Sequence, residues 1–435
     1  MDLDYEPVKT SKAARGKVTG GQSSDGKVKK HCLKKVTGGQ SSDGKVKKRG
    51  AKSVKTDDDD ILLKDLIQQS KKDRPESSRV KGGSLRLGSD CAGVGSEFLA
   101  LKMIIGDRVK LRTVFVSEIN PEKRKALLAL HERYDDKIIY EDMAERDVEK
   151  APSCDIYCAG PPCPSFSCAG KGAGLSDARG RVLLSCVEYI LCKRPALSVI
   201  ENVQGLTTGK HRKILDGITT ALKNAGYRVK AEILNCQAHG LPQNRPRVYI
   251  VATLTSAVGP KFKFPEPMTL PANYLERFLV HDVEQHTKVS KVAAKNIEKL
   301  QQQLSGPSGS NIVLDAHSGR DKLNFMYDVS PCLTKARSGS HGHYLMKHAR
   351  FMNIFEIGAL QGWPKSIVQF MQLHASDRCL GTSFGDGMSI SVLCRLLPNA
   401  LLASGVVRKK CLNPVWDHIP ECGQMPGAVY SKTRL

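Results

Sequence analysis

The sequence predicts an α/β fold in which a mostly parallel sheet is covered by helices on both faces. From Leu85 onward, short apolar runs alternate with longer stretches of helical periodicity, and 40% of the chain is hydrophobic. Strands are expected at 113–116, 138–140, 156–159, 196–200 and 248–252, and helices at 98–103, 122–131, 182–192 and 213–225. Ligands of such sheets bind at the carboxyl ends of the strands, so the candidate site is expected there.

The charge of the chain indicates a polyanionic partner. Its 435 residues include 67 Lys and Arg against 44 Asp and Glu, a net charge of +23. The N-terminus lacks the basic and apolar regions of a signal peptide, and no apolar run approaches the roughly 18 residues of a transmembrane helix. The 14 cysteines are therefore expected as thiols in the cytoplasm or nucleus, which favours nucleic acid over a membrane surface as the partner.

Residues 1–56 differ from the rest of the chain. They hold 15 basic and five acidic residues, a net of +10, and repeat the unit KVTGGQSSDGKVKK at 17–30 and 35–48. So few apolar residues cannot form a core, which predicts a disordered tail. Such a tail is either a solvated extension without a role or an arm that binds DNA by releasing counterions. A short helix is expected at 61–67, before a polar linker.

The first candidate ligand site is the glycine turn Ala92-Gly93-Val94-Gly95, between an expected strand and helix. Glycines there let the backbone approach a ligand closely, although a glycine turn without function is an equal alternative. Glu118 and Asp142 each follow an expected strand. A carboxylate at that place can accept the hydroxyls of a ribose or an adenine amino group. For either acid alone, a solvated loop position is the simpler interpretation.

The second candidate is Cys163, in a loop that follows the expected strand at 156–159 and begins Gly160-Pro161-Pro162. Prolines stiffen this loop, which suits the mounting of a nucleophile. The alternatives are an inert buried thiol and a zinc site with Cys154, Cys158 and Cys168, which the lack of a close Cys-x-x-Cys pair disfavours.

Two further motifs follow expected strands or lead into them. Glu201 heads Glu-Asn-Val directly after the strand at 196–200, and Arg245 and Arg247 lie in Gln-Asn-Arg-Pro-Arg before the strand from residue 248. Arginines two residues apart on an extended segment point the same way, so a paired contact with an anion or a base is expected.

These four motifs in this order resemble those of the DNA cytosine-5 methyltransferase family, over roughly residues 85–405. Further matches are Arg350, Glu356 and Gly362-Trp363-Pro364, then Gly385-Asp386-Gly387-Met388-Ser389. The resemblance implies a Rossmann-like S-adenosylmethionine-dependent methyltransferase domain with a small inserted target-recognition domain. The implied division is a disordered tail and linker at 1–80, the catalytic domain at 81–254, target recognition at 255–345, returning motifs at 346–407 and a C-terminal tail at 408–435.

The resemblance also assigns roles. Cys163 attacks carbon 6 of a flipped-out cytosine, Glu201 protonates or polarises N3, and Arg247 binds O2 with Arg245 nearby. Residues implied to line S-adenosylmethionine are Gly93, Gly95, Glu118, Ile119, Asp142, Met143 and Gly160. The sequence departs from the family pattern at Ser89 and Cys91, where Asp and Phe are usual, and at Ile119, where Trp is usual.

The sequence therefore predicts a nuclear enzyme that methylates cytosine in double-stranded DNA, an epigenetic mark, and that needs no metal and contacts no membrane. Three alternatives stay open, and the least favoured is a restriction-system enzyme, because a repetitive Lys tail is unusual there. A branch of the family methylates tRNA by the same chemistry, and the departures near Gly93 also fit a catalytically weak DNA-binding regulatory protein. Within the 255–345 region, the Gly- and His-rich segment at 337–343 is expected to be a flexible loop that contacts the DNA backbone, with a metal site as the less favoured alternative.

Overall fold

The computed structural model describes residues 56–72, 84–131, 138–162, 166, 174–257, 259–280, 289–304, 311–319 and 322–415. The expected basic tail with its two repeats lies outside the described residues, as do Cys163 and the C-terminal segment from residue 416. The described chain forms a large sheet covered by helices and a small second sheet.

The large sheet confirms the predicted α/β fold. Its strands are β1 (Ser84–Asp90), β2 (Lys110–Ser117), β3 (Ile138–Tyr140), β4 (Ile156–Ala159), β5 (Leu197–Val203), β6 (Tyr227–Asn235) and β7 (Pro246–Leu254). Within the described residues they run in the order β3-β2-β1-β4-β5-β7-β6. The first five are parallel, whereas β7 is antiparallel to both of its neighbours. The expected strands correspond to β2, β3, β4, β5 and β7, while β6 was not predicted.

The register of the central strands brings three functional segments to one edge. Asp90 pairs with Ala159, and Ala159 pairs with Ile200. The next residue on each strand, Cys91, Gly160 or Glu201, therefore lies in one row at the carboxyl edge. Glu201 was expected just after its strand, but β5 continues through Val203 because it stays paired with β7 up to Arg247.

Helices cover both faces of the large sheet, with α2 (Ser96–Ile105), α3 (Pro121–Leu130) and the later α11 (Ile390–Ser404) on one face and α1 (Thr56–Gln69), α4 (Ala178–Lys193) and α5 (Arg212–Asn224) on the other. Helix α5 shows why: its apolar residues recur every three or four positions, and this stripe is buried. Helix α3 starts where the Asn120 side chain accepts bonds from the Glu122 and Lys123 amides, with Pro121 in its first turn.

Helix α1 extends the expected helix at 61–67 in both directions and packs on the catalytic fold. Leu63 and Leu66 are buried in the core shared with α4 and α5, and a Cβ on Gly217 would lie 2.9 Å from the Leu63 side chain. The expected boundary at residue 80 assigns α1 to the linker, whereas this helix is part of the packed core.

The small sheet lies in the region expected to recognise the target. It consists of β8 (Ile312–Leu314), β9 (Phe325–Tyr327), β10 (Tyr344–Leu345) and β11 (Arg350–Phe351), in the order β11-β10-β8-β9, and packs against α6 (Lys291–Gln303). The expected range of 255–345 differs from this unit at both ends. Phe351 belongs to its core, whereas Phe262, Tyr274 and Phe278 pack with the helices of the large sheet.

The segment 337–343, expected to be a loop that contacts the DNA backbone, is the end of a short helix followed by a turn, and its contact with DNA stays a prediction. It begins in the short helix α7 (Lys335–Ser338), and Arg337 forms an ion pair with Asp315. The His343 side chain is fully buried, and burial lowers its pKa to about 4. Because His343 is therefore neutral at physiological pH, it does not supply a cationic contact for a phosphate.

The last part of the chain returns to the large sheet through α8 (Ile354–Ala359), α9 (Lys365–Gln372), α10 (Asp377–Asp386) and α11. A buried ion pair fixes this return: Glu356 is fully buried and accepts two bonds from Arg350, at 2.8 and 2.6 Å. Glu356 also accepts bonds from the amides of Asn353, which caps α8, and Val280. In the described part of the chain, no single helix is long and apolar enough to cross a membrane. The bent pair α10–α11 reaches that length and apolar composition only when its two helices are taken together.

Replacing Glu356 with Ala should destabilise the protein by about 3–5 kcal/mol, because it leaves the buried Arg350 guanidinium without its counter-ion. Urea unfolding followed by circular dichroism measures this change. The exposed pair Arg212–Asp216 on α5 provides the control, and Asp216→Ala should change stability little. Similar losses in the two variants would contradict the importance assigned to burial.

Candidate active site at the carboxyl edge of the sheet

The glycine turn places a bare stretch of backbone at the end of β1. Gly93 and Gly95 both have positive φ angles, 58° and 87°. A Cβ on Gly93 would meet no heavy atom within 4 Å, whereas one on Gly95 would lie 3.0 Å from Leu127. Gly93 therefore faces open space where a ligand can approach, and Gly95 lets α2 pack closely on α3.

Glu118 lies beside this turn, at the end of β2. Its Oε2 accepts a bond from the Gly93 amide at 3.0 Å, and its Oε1 accepts one from the Asn120 amide at 2.9 Å. The side chain is mostly buried, at 9% exposure. Each carboxylate oxygen retains a further lone pair, so Glu118 can accept hydroxyl donors from a ligand that lies over Gly93.

The other residues predicted for the cofactor surround the same turn. Ile119, next to Glu118, exposes 70% of its side chain, which makes an apolar surface. Asp142 caps a short 3-10 turn by accepting a bond from the Ala144 amide at 2.9 Å, and Met143 is buried. The Met143 sulfur lies 3.7 Å from the Cys91 sulfur, which connects this turn to the end of β1.

Gly160 and the final motif complete that side of the site. A Cβ on Gly160 would lie 3.8 Å from the Cys91 carbonyl oxygen and 3.9 Å from the Met388 methyl carbon. A Cβ on Gly387 would lie 3.2 Å from Ser96 Oγ at the start of α2. The motif at 385–389 therefore lies against Gly160 and against the start of α2, directly after the glycine turn.

Cys163 lies outside the described residues, but the loop that leads to it is placed. The Asn202 side chain donates a bond to the Pro161 carbonyl at 3.3 Å, and Pro161 and Asn202 are both buried. The start of the Cys163 loop is therefore tied to the strand that carries Glu201. A zinc site is disfavoured because Cys154 and Cys158 belong to cores on opposite faces of the sheet. Among the described residues, no group of three His, Cys, Asp or Glu side chains could hold a metal ion.

Glu201 and Arg247 form a buried ion pair between adjacent strands. Arg247 Nε lies 3.3 Å from Glu201 Oε1, and the two side chains are 13% and 7% exposed. Burial raises the pKa of Glu201 above its usual value, while the positive charges of Arg247 and Arg245 oppose that rise. A carboxyl group with a raised pKa remains partly protonated at higher pH, as a general acid requires.

Arg245 has a different environment from Arg247. Its guanidinium is buried and donates to the carbonyl oxygens of Leu333, Gly385 and Gly387, at 2.7, 3.1 and 2.9 Å. These contacts tie the start of β7 to the segment before α7 and to the final motif. This placement differs from the direct contact with a base that was expected for Arg245, and it suits a positioning residue instead.

Two residues at this edge carry no local sequence signal. Cys332 Sγ lies 3.6 Å from Arg247 Nη2 and 3.8 Å from Arg245 Nη1. Although burial raises the pKa of this thiol, the two guanidinium groups outweigh burial, and its pKa is below its usual value. Nothing in the local sequence around Cys332 indicated a place beside arginines that lie 85 and 87 positions earlier.

Glu97 is the second such residue, buried in the first turn of α2. Its Oε1 accepts a bond from Ser89 Oγ at 2.6 Å, and its Oε2 has no hydrogen-bond partner among the described residues. Burial raises its pKa to about 7. An acid in the first turn of a helix usually indicates a solvated N-terminus, so its burial in the core could not be predicted from the sequence.

Comparison with known proteins identifies the family. The family model described as C-5 cytosine-specific DNA methylase matches residues 86–397. The chain belongs to this family. The match spans the glycine turn, the Cys163 loop, Glu201, Arg247 and the returning motifs, which confirms the resemblance found in the sequence. The protein is thus a C-5 cytosine DNA methyltransferase by family.

Two bacterial relatives match over most of their own length. The type II methyltransferase M.NlaX of Neisseria lactamica is 27% identical over 306 residues, 69% of this chain and 91% of the relative. M.Bsp6I of a Bacillus species is 27% identical over 323 residues, 72% and 98% respectively. The orphan methyltransferase M.SPRI of Bacillus phage SPR is 36% identical over a shorter stretch, 39% of this chain and 38% of the relative.

Solved structures support the fold. The Entamoeba histolytica methyltransferase EhMeth superposes with a TM-score of 0.55 at 16% identity, covering 74% of this chain and 98% of that one. A DNMT2 mutant of Spodoptera frugiperda gives a TM-score of 0.51 at 17% identity, covering 73% and 100%. At these identities the likeness concerns the arrangement of the chain alone.

The buried Glu97 predicts a stability that falls with rising pH. Its unfolded-state pKa is about 4.3. Below that value both states are protonated and its full contribution is present. Between that value and about pH 7 only the unfolded state ionises, so stability is lost, on the order of 3 kcal/mol.

Denaturant unfolding of Glu97→Gln between pH 4 and 8 checks this, because the amide cannot ionise and the loss should shrink. Glu232→Gln, at an exposed carboxyl on β6, is the control and should keep the wild-type profile. An unchanged pH profile in Glu97→Gln would show that this carboxyl is not the group that titrates.

Proposed function

We propose that the protein transfers a methyl group from S-adenosylmethionine to carbon 5 of cytosine in double-stranded DNA. The observation that carries the proposal is the row at the carboxyl edge of the sheet. It places Glu201, paired with Arg247, one strand away from the loop that leads to Cys163 and two strands away from the turn at Gly93. A proton donor, the start of the loop that leads to the proposed nucleophile and a ligand pocket thus share one edge.

The residues around Gly93 fit S-adenosylmethionine. The open space above Gly93 lets the ligand approach the protein backbone closely, and the Glu118 carboxylate can accept hydrogen bonds from the two ribose hydroxyls. Ile119 offers an apolar surface for the adenine ring, and Asp142 can accept its amino group. When bound, the cofactor supplies an electrophilic methyl group; the residues here hold and orient it.

Glu201 and Arg247 act on the cytosine ring. Cys163, as a thiolate, forms a bond to carbon 6 while Glu201 delivers its proton to N3, so that negative charge does not accumulate on the ring. Carbon 5 then has enamine character and would accept the methyl group as the bond between that group and the cofactor sulfur breaks, while N3 returns its proton to the Glu201 carboxylate. Loss of the carbon 5 proton to a base, with water as the candidate, expels the Cys163 thiolate and restores the ring. Arg247 holds O2, and Arg245 holds Arg247's strand in place.

The substrate and location belong to the same proposal. Carbon 5 is inaccessible inside a duplex, so the target base is flipped out of the stack. A net charge of +23 and the Lys-rich repeats in residues 1–56 support a nucleic-acid substrate and a nuclear location. DNA is favoured over tRNA because the family model is that of the DNA methylases.

The direct test is transfer of labelled methyl groups from S-adenosylmethionine to duplex DNA and to tRNA, compared in parallel. We expect labelled 5-methylcytosine in DNA, no transfer by Cys163→Ala, and retained DNA binding in that variant. DNA containing 5-fluorocytosine should trap the wild-type protein covalently. Cys411→Ala, which removes a thiol far from this edge in sequence, should remain active. Transfer to tRNA alone would identify tRNA instead of DNA as the substrate. The lack of a trapped complex would exclude Cys163 as the nucleophile.

Glu201→Gln should lower kcat by about 10²–10⁴, because the amide cannot donate a proton to N3. The pH profile carries the second readout. Since Glu201 acts in its acid form with a raised pKa and Cys163 acts as a thiolate, the wild-type pH profile should be bell-shaped. The limb on which the rate falls as the pH rises through the pKa of Glu201 should be missing in the Gln variant. Steady-state rates from pH 5 to 9 measure both. A Gln variant with the same profile and near wild-type kcat would contradict the role of Glu201.

A further inference from the structure

A second buried ion pair lies under the cofactor side of the edge, and the reaction does not use it. Asp90 is the last residue of β1, and Arg146 follows the 3-10 turn at Met143–Glu145. The Arg146 guanidinium donates to both Asp90 oxygens, at 2.8 and 2.7 Å. The Asp90 and Arg146 side chains are only 0% and 2% exposed. This bidentate geometry is the most directional form of such a pair.

The surroundings leave both partners satisfied. Ser117 Oγ donates to Asp90 Oδ1 at 2.8 Å, and the Tyr157 hydroxyl donates to Oδ2 at 2.7 Å. The Arg146 guanidinium lies 5.0–5.1 Å from the ring centroids of Phe115, Tyr140 and Tyr189. Aromatic faces stabilise the cation, and the hydroxyls stabilise the carboxylate, so the pair has one well-defined geometry.

The network reaches each segment that carries a proposed cofactor contact. Asp90 is followed by the turn that contains Gly93, and Ser117 directly precedes Glu118. Ser117 Oγ also accepts a bond from the Cys91 amide at 3.1 Å, which ties the ends of β1 and β2 together. Arg146 closes the turn that Asp142 caps. A displacement of the pair therefore moves Gly93, Glu118 and Asp142 relative to one another.

We propose that the Asp90–Arg146 pair positions the S-adenosylmethionine pocket by anchoring these three segments to one another. The inference rests on the proposed function. Glu201 and Arg247 lie on β5 and β7, away from the ends of β1, β2 and β3, so the pair acts on cofactor affinity rather than on the chemistry at the base. Loss of a positioning residue of this kind raises the KM for the cofactor and leaves kcat at saturation nearly unchanged.

Arg146→Lys tests this, because Lys keeps the charge and loses the bidentate geometry. We expect the Kd and KM for S-adenosylmethionine to rise on the order of tenfold, with kcat at saturating cofactor within about twofold and the KM for DNA unchanged. Ser117→Ala removes one hydroxyl, keeps the ion pair and should shift the same constants in the same direction by less. Since it is a mild change, it decides the question if Arg146→Lys does not fold.

The matched control is Arg86→Lys. Arg86 lies on the same strand and donates to both oxygens of Asp155, at 2.8 and 3.2 Å, but at the opposite edge of the sheet. It should lower Tm without changing the Kd for S-adenosylmethionine. Equal effects of Arg146→Lys and Arg86→Lys on that Kd, or none in either Arg146→Lys or Ser117→Ala, would overturn the inference alone. A wild-type protein that fails to bind S-adenosylmethionine in calorimetry would overturn the proposed function, and this inference with it.

Discussion

Parallel pairing of β1, β4 and β5 determines where the chemistry of this protein lies. The pairs Asp90–Ala159 and Ala159–Ile200 set one row across three strands. Each strand then leads, at the same edge, into a segment with a different role: a ligand turn, a cysteine loop and a buried acid. Because side chains alternate along a strand, a register slip of one residue would turn Glu201 toward the opposite face. The site thus depends on backbone hydrogen bonds before it depends on any functional side chain.

Buried arginines hold the rest of the site on this frame, and they do so in different ways. Arg245 donates to three backbone carbonyls from two distant segments, so it fixes the chain path without needing a counter-ion. Arg146 and Arg350 instead bind buried carboxylates, where desolvation is offset by bidentate geometry and further donors. Arg247 is paired with Glu201, whose carboxyl group has a raised pKa and is therefore suited to exchange a proton.

The sequence predicted the elements whose signals are local. Runs of apolar residues predicted β4 and β5, and the helical spacing of apolar residues predicted α5. Strand β6 was missed because it is an edge strand with exposed residues at most positions, including Arg228 and Glu232, so it lacks an apolar run. In the site, Glu201 and Arg247 were recognisable from motifs. The Asp90–Arg146 pair was not, because its partners are 56 residues apart and neither has a local signature.

The reversed direction of β7 has a consequence for the chain that follows it. This strand begins at Pro246, beside Arg247 at the active edge, so β7 ends at Leu254 on the far side of the sheet, where Thr253 pairs with Leu197. The chain has to travel back before Cys332 and Leu333 can meet the arginines. It does so along α11: Gly259 lies against Leu402, the Lys263 carbonyl accepts from Asn399, and the Glu266 carbonyl accepts from Arg395. The length of this return path is set by that helix, so an insertion within 259–266 would break its contacts with α11.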